Sequence, residues 1–273
     1  MSALTLAVCL TALLQNSVSQ AALKCPDRES VVYIQYIDRY THTRPFVLTG
    51  KISANISTDI LTNDPNVQKT IVDKHNALRR AVTPPASNML KMAWSAEAAV
   101  NAKTWANTCS MNHSSSDTRK INTSGCGENL YMSSSANSWD MAVQAWYDEV
   151  KDFKYGVGST NGAVVGHYTQ VVWYRSNKVG CAVAHCPGSK YEYFYVCQYC
   201  PPGNNQNLLT TPYKAGPSCG DCPNACEDKL CTNPCSYSDM YSNCPALKGT
   251  FGCGHPSVLA WCPASCKCTN EIK

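Results

Sequence analysis

Apolar residues recur at helical spacing in three stretches of the chain. Asp64-Pro65 sets a side-chain acceptor at a cap position and a proline at the first helical position. Val67, Ile71, His75 and Leu78 follow at spacings of four, four and three until Pro84-Pro85, which predicts an amphipathic first helix. A second helix is predicted from about Ser95 to Cys109, with Ala98, Ala102, Trp105 and Cys109 on one stripe. A third starts at Ser138, with Trp139, Val143, Trp146 and Val150 on its stripe. Stripes of this width pack against a core rather than around a ligand.

The period changes further along. Lys178 to His185 and Tyr191 to Gln198 are β-rich runs joined through Pro187-Gly188-Ser189, the composition of a hairpin. Tyr191, Tyr193, Tyr195 and Cys197 alternate with Glu192, Phe194, Val196 and Gln198, so both faces of this strand are substantially apolar or aromatic. A strand covered on both sides predicts helices on each face of the sheet.

Two regions carry little periodicity. In residues 24–63 the run Val31 to Ile37 has strand composition, but Arg44-Pro45 and Thr49-Gly50 break the pattern beyond it, so the segment reads either as an extra edge strand or as a mobile arm. Residues 201–218, PPGNNQNLLTTPYKAGPS, have the composition of a linker.

Composition sets the compartment. The 273 residues suffice for one full-sized core and a small second unit. The net charge of +4 comes with no basic run beyond Arg79-Arg80, which argues against nucleic acid as a partner. Eighteen cysteines persist as disulfides only in an oxidising compartment. Leu4 to Leu14 followed by Ser17-Val18-Ser19 reads as a signal peptide over residues 1–19, too short to span a bilayer. The expectation is a secreted, extracellular protein that does not cross the membrane. Removing Cys9 with the signal leaves an odd number of cysteines, and isolated Cys25 is then either a free thiol or half of an intermolecular disulfide. Asn55, Asn112 and Asn122 each begin a glycosylation sequon.

Ten cysteines fall between Cys219 and Cys268, a span too short to be stable by core burial alone. Cys219, Cys222, Cys226 and Cys231 form a tight group; from Cys235 the gaps to Cys244, Cys253 and Cys262 are each eight residues, with Cys266 and Cys268 close behind. A zinc ribbon is the rival reading of the C-x-x-C spacing, and the oxidising compartment argues against it. Spacing does not fix the pairing.

The candidates for chemistry are His113, Glu128, Glu149 and His167. The last lies in Gly166-His167-Tyr168-Thr169-Gln170-Val171-Val172-Trp173, and Glu128 lies in Cys126-Gly127-Glu128-Asn129. Imidazoles with carboxylates suit zinc or general acid–base work. Neither H-E-x-x-H nor G-x-S-x-G is present, and spacing alone favours polar residues that brace loops.

The stretch from Gly166 to Trp173 resembles the first signature of the CAP superfamily. Phe194-Tyr195-Val196-Cys197-Gln198-Tyr199-Cys200-Pro201-Pro202-Gly203-Asn204 resembles the second, and Cys126 to Asn129 resembles a further family marker. With its cysteine-rich tail, the chain from Asp64 to Lys273 is similar to the cysteine-rich secretory proteins; residues before Asp64 are not covered. The resemblance implies an α+β fold, a three-layer α/β/α CAP sandwich over 64–200. After the linker come a cysteine-rich hinge at 219–234 and a small, disulfide-rich, mostly helical or irregular domain at 235–268. It implies a cleft lined by His113, Glu128, Glu149 and His167, with His113 and His167 as metal positions, no required cofactor and zinc as the metal to test. It implies the pairs Cys109–Cys186, Cys126–Cys200, Cys181–Cys197, Cys219–Cys226, Cys222–Cys231, Cys235–Cys268, Cys244–Cys262 and Cys253–Cys266, which leaves Cys25 alone.

The last six cysteines also resemble the framework of small sea-anemone potassium-channel toxins. Those toxins carry a lysine beside an aromatic residue before the fourth cysteine, whereas His255 to Trp261 contains no lysine. From Cys219 onward four lysines face five acidic residues, so a cationic plug is not expected. Tyr237, Tyr241, Phe251, Val258, Leu259 and Trp261 are the contact-patch candidates, with filling of a tiny core as the alternative for some of them. The expected function is a non-enzymatic binding protein that modulates a membrane ion channel or cell-surface protein through the tail. The alternative is sterol, lipid or divalent-metal binding by the larger domain. A metal-dependent or serine-type hydrolase is a distant third, with Ser114 as the nucleophile to test.

Overall fold

A computed structural model describes residues 60–273; the expected signal peptide over 1–19, Val31 to Ile37, Cys25 and Asn55 lie outside the described residues. The first helix, α1, spans Pro65–Arg80, and the Asp64 carboxylate accepts from the Asn66 amide at 2.8 Å. Its inner face buries Val67, Ile71, His75, Asn76 and Arg79. The strand β1 (Ala93–Trp94) leads into α2 (Ala96–Ala106), capped by the Ser95 hydroxyl. This helix stops three residues short of the predicted Cys109, which has φ +51° and leaves the helical path to reach its disulfide with Cys186.

A short hairpin, β2 (Lys120–Ile121) with β3 (Ser124–Gly125), precedes β4 (Gly127–Ser133). Helix α3 spans Trp139–Tyr147 with Ser138 as its cap, and the chain then tightens into a 3-10 turn over Asp148–Asp152, so Glu149 and Val150 lie beyond the α-helix predicted to carry them. After the small pair β5 (Phe153–Lys154) and β6 (Gly158–Ser159) comes α4, Gly166–Val171. Strands β7 (Lys178–His185) and β8 (Tyr193–Cys200) form the predicted hairpin, with β8 two residues later than expected. The main sheet runs β1-β7-β8-β4, with β1 parallel to β7 and the other pairs antiparallel.

Alternation along β7 and β8 produces the three layers. Val179, Cys181, Val183, Tyr195, Cys197 and Tyr199 face the larger core, which α1, α3 and α4 cover with Ile71, Trp139, Val143, Trp146 and Val171. Ala182, Ala184, Phe194 and Val196 face the opposite way, onto Ala102 and Ala106 of α2. The second layer is thin because α2 sits very close: a Cβ on Gly180 would fall 2.1 Å from the Ala99 nitrogen and 2.5 Å from the Ser95 carbonyl oxygen. The fold is the α+β, three-layer sandwich.

Two buried polar side chains pin the larger core. The His75 Nδ1–H donates to the Ile71 carbonyl at 2.7 Å, so Nε2 accepts from the Tyr199 hydroxyl at 2.9 Å. Burial pushes this imidazole down to about 4, so it stays neutral. Arg79, equally buried, donates to the carbonyls of Leu90, Val171, Trp173 and Tyr174 at 2.7–3.2 Å. Burial lowers it to about 9, which leaves the guanidinium charged at neutral pH.

Among the described residues eight disulfides are formed, in the pairs 109–186, 126–200, 181–197, 219–226, 222–231, 235–268, 244–262 and 253–266. The segment read as a linker is strapped to the large domain. Tyr213 is buried in its core, Tyr174 N–H donates to the Pro212 carbonyl, and Gly216 N–H donates to that of Pro85. Residues 219–234 are no free hinge either. Leu230, in the small hairpin of β9 (Cys226–Glu227) and β10 (Leu230–Cys231), is fully buried in the larger core. Arg80 pairs with Asp228, and Lys91 with Glu227. The physical reason is that disulfide-held loops expose few apolar groups of their own, and Leu230 and Tyr213 are buried only against the neighbouring domain. Beyond Cys235 lie α5 (Cys244–Phe251), α6 (Pro256–Trp261) and α7 (Pro263–Lys267) around a minimal core of Cys244, Val258 and Cys262. Among the described residues, no helix is long and apolar enough to cross a membrane.

Candidate functional site

The stretch from Gly166 to Val171 forms a helix despite its β-branched residues because both ends are held from outside. Glu149 Oε2 accepts from the backbone amides of His167 (2.9 Å) and Tyr168 (3.0 Å), placing a carboxylate on the orphan N–H groups of the first turn. At the other end Arg79 takes the carbonyls of Val171 and Trp173. Between them Gln170 is buried, accepting from the Gly203 amide and donating to Ser176. A Cβ on Gly203 would meet the Gln170 amide at 2.7 Å, which is why glycine stands there. Asn204 donates to the Gly166 carbonyl and accepts from the Thr169 hydroxyl.

The same Glu149 orients the imidazole. Its Oε1 lies 2.6 Å from His167 Nδ1, so Nδ1–H donates to the carboxylate and Nε2 is the nitrogen not engaged by it. His113 repeats the arrangement, its Nδ1 at 2.9 Å from Glu128 Oε1. Glu128 accepts further from the Ser114 hydroxyl (2.7 Å), the Ser114 amide (3.0 Å), Arg119 (3.3 Å) and Gln198 (3.3 Å). Burial opposes ionisation of Glu128, but the hydrogen bonds from His113 and Ser114 with the charge of Arg119 outweigh it, and its carboxyl stays below the usual value.

The resemblance to the CAP superfamily implies that all four residues line one cleft; the structure corrects one of them. A cavity of about 390 Å³ is walled by Asn112, His113, Glu149 and His167 on its polar side and by Met111, Leu130, Tyr131, Met132 and Trp146 on its apolar side. Glu128 is absent from the wall: its side chain has no exposed surface and stands behind His113. The reason is that β4, which carries it, is clamped by β8 and the Cys126–Cys200 disulfide, turning the carboxylate toward Gln198.

Two imidazoles at one cavity are a donor type that divalent metals take. Carboxylate-to-Nδ1 contacts leave Nε2 as the ligand atom of each histidine, the usual outer-sphere support of a metal-bound imidazole. A tightly held structural ion takes four protein ligands. Among the described residues, the three His, Cys, Asp or Glu side chains whose ligand atoms lie within 4.8 Å of one another are Cys219, Cys222 and Cys231, and those sulfurs are in disulfides. A larger cavity, about 670 Å³, lies beside Tyr174 between residues 221–225 and 269–273 and is lined by neither histidine of the cleft.

Ser114, the candidate nucleophile, is buried and gives its hydroxyl hydrogen to Glu128 rather than to an imidazole. Asn112 is exposed at the rim of the cavity, and Asn122 is exposed in the β2–β3 turn with its amide on Glu97. In the tail, Tyr237, Tyr241, Phe251, Leu259 and Trp261 are each 41–60% exposed, whereas Val258 is core. Lys267 lies 4.5 Å over the Tyr237 ring, a proximity that spacing does not reveal. Arg79, Arg119, Gln170 and Gln198 escaped the sequence reading. For Arg79 a signal existed, a charge four residues after His75 on the buried stripe; Arg119 offered none.

A family profile described as "CAP: Cysteine-rich secretory protein family" matches residues 72–199, and one described as "Crisp" matches residues 219–273. The chain is 55% identical over 217 residues to cysteine-rich secretory protein 2 of Homo sapiens, covering 79% of this chain and 89% of that protein. It is 53% identical over 216 residues to the cysteine-rich venom protein helothermine of Heloderma horridum horridum, covering 78% and 89%. Among solved structures, that of NaASP2 with Zn2+ is 31% identical with a TM-score of 0.50, covering 62% of this chain and 96% of that one.

Proposed function

We propose that this chain, which belongs to the cysteine-rich secretory protein family, is a secreted, non-enzymatic binding protein that modulates a membrane ion channel or another cell-surface protein through its tail. The observation that carries the reading is the exposed apolar surface of residues 237–261. Trp261 and Tyr241 meet edge to face with ring centroids 5.9 Å apart, and Met240 beside them is 66% exposed. So small a disulfide-held unit gains nothing in stability by leaving Tyr237, Tyr241, Phe251, Leu259 and Trp261 in water, and aromatic residues of this kind anchor interfaces. Arg175 of the large domain donates to the Tyr237 carbonyl and the Ser238 hydroxyl, which supports presentation of the surface on a fixed base. Helothermine, a relative, is named as a venom protein, and a channel target fits that relationship. Eight disulfides and the leader-like start of the sequence support export. Voltage-clamp recording with the full chain and with a Tyr241→Ala, Trp261→Ala variant tests the reading. Equal effects of the two proteins on every responsive current would sink it.

A second reading concerns the large domain: His113 and His167 hold a divalent cation through Nε2, with Glu149 and Glu128 orienting them. The Nε2 atoms that the carboxylates leave unengaged support it, as does the zinc named with the NaASP2 structure. Hydrolysis is disfavoured because Ser114 is buried, with its hydroxyl held by the Glu128 carboxylate rather than by an imidazole. Zinc titration by calorimetry of the wild type against a His113→Ala, His167→Ala variant decides it, and equal affinities would remove the site.

A further inference from the structure

We propose that Asn112 is an N-glycosylation site whose glycan shields the histidine cleft, and that its occupancy is fixed by a race between glycosyl transfer and folding. The inference rests on the export proposed above. Asn112 opens the sequon Asn112-His113-Ser114, is exposed, and is one of the residues that wall the cavity beside His113 and His167. A glycan attached there stands at the mouth of the cleft.

The folded loop is no acceptor. Asn112 Nδ2 donates to the Ser110 carbonyl at 2.7 Å, and the Asn112 carbonyl accepts from Trp105 Nε1 at 2.7 Å. Cys109 and Met111 sit in the left-handed region at φ +51° and +56°, so the approach to the sequon is a fixed turn. Ser114, whose hydroxyl a transferase must engage, is 6% exposed, with both its hydroxyl and its amide on the buried Glu128. In the transfer, Asn112 Nδ2 forms a bond to C1 of an oligosaccharide carried on a lipid pyrophosphate. Nδ2 gives up one proton, and the pyrophosphate leaves with the electrons of the C1–O bond. That chemistry requires an extended, mobile sequon, so it precedes closure of the Glu128 cluster and of Cys109–Cys186.

Cys186 is 77 residues beyond Cys109. At synthesis rates of about 5–20 residues per second Cys109 waits roughly 4–15 s for its partner to be made, a window in which transfer competes with closure of the loop. Two populations result, one with a shielded cleft and one with an open cleft. The Asn122 sequon, in an exposed turn whose amide is tied to Glu97, is the internal comparison.

The full chain is expressed in secretory cells, with and without a brief pulse of permeant thiol reductant, and occupancy at each sequon is read by mass spectrometry before and after an amidase that removes N-glycans. Acylation of imidazoles by diethylpyrocarbonate, followed residue by residue, reports access to the cleft, with exposed His255 as the control. The expected result is partial occupancy at Asn112, raised by the reductant pulse. His113 and His167 should react several-fold more slowly in the glycosylated form, with His255 unchanged, and an Asn112→Gln chain should react at the fast rate. Protein in the medium with Asn112 bare under both conditions overturns the proposal while leaving export intact, and so do equal histidine rates in the two forms. Retention of the chain inside the cell overturns the export reading itself.

Discussion

Replacing Glu149 by alanine removes one carboxylate that serves three donors: the amides of His167 and Tyr168 and the imidazole Nδ1 of His167. A hydrogen bond to a charged group contributes about 1.5–3 kcal/mol net, and a buried donor left without a partner costs about 1–3 kcal/mol. The Tyr168 side is fully buried and its amide finds no other acceptor, whereas the His167 side chain is 30% exposed and rehydrates. Glu149→Ala should therefore destabilise the large domain by about 3–5 kcal/mol. Glu149→Gln separates the two roles: its single oxygen still accepts from the amides as neutral bonds, but its NH2 group cannot accept from Nδ1–H. We expect a loss of only about 1–2 kcal/mol for this variant. Its zinc affinity should fall about 10- to 100-fold, the usual effect of losing the group that orients a metal-bound imidazole. Guanidinium unfolding with disulfides intact, followed by tryptophan fluorescence, measures the first quantity, and calorimetric zinc titration measures the second. A Glu149→Ala protein with the wild-type midpoint would refute the account of why Gly166–Val171 is helical. Full zinc affinity in Glu149→Gln would refute the orientation of His167.

The packing sets three further outcomes. His75 takes a proton at about 4 when folded and at 6.5 in the reference state, so the stability of its neutral form is fully present above pH 6.5 and is lost as the pH falls toward 4. The loss is about 3 kcal/mol and should shrink in a His75→Gln variant compared by denaturation at pH 7 and pH 4.5. Leu230→Ala should lower the thermal midpoint of the large domain by an amount equivalent to about 2–5 kcal/mol, because this residue of the small hairpin is fully buried in the larger core; melting of the tail alone would contradict that. Gly180→Ala sets a methyl group against the backbone of α2 and should abolish accumulation of folded protein in the medium, read by immunoblot, with wild-type yield counting against the close approach.

The periodic elements could be read from the sequence because their causes are local. Asp64-Pro65, Ser95 and Ser138 start helices through cap chemistry within four residues, and the two-sided apolar run of β8 announces a sheet covered on both faces. The dense disulfide bonding likewise follows from a count of eighteen cysteines. Residue type and setting single out the four candidate site residues, but no spacing brings positions 113 and 167 together, and only the motif resemblance implies that they share a cleft. Their convergence depends on β4 crossing beside α4, where Asn129 donates to the His167 carbonyl.

The features that stayed hidden have a common physical basis: they depend on partners distant in sequence. Gly166 to Val171 has weak helical propensity and is helical because Glu149 and Arg79 hold its two ends. Glu128 looks equivalent to Glu149 in the sequence, yet one is buried as a brace and the other walls the cleft, because β4 is clamped by β8 and a disulfide while the turn after α3 is open to the cavity. The Pro- and Asn-rich stretch after Cys200 has linker composition, but Tyr213 and Leu230 are drawn into the neighbouring core, where burial outweighs the entropy of a free strand of chain. Local chemistry thus set the elements and the reliance on disulfides; long-range burial and long-range hydrogen bonds set the cleft, the brace behind it and the base on which the tail stands.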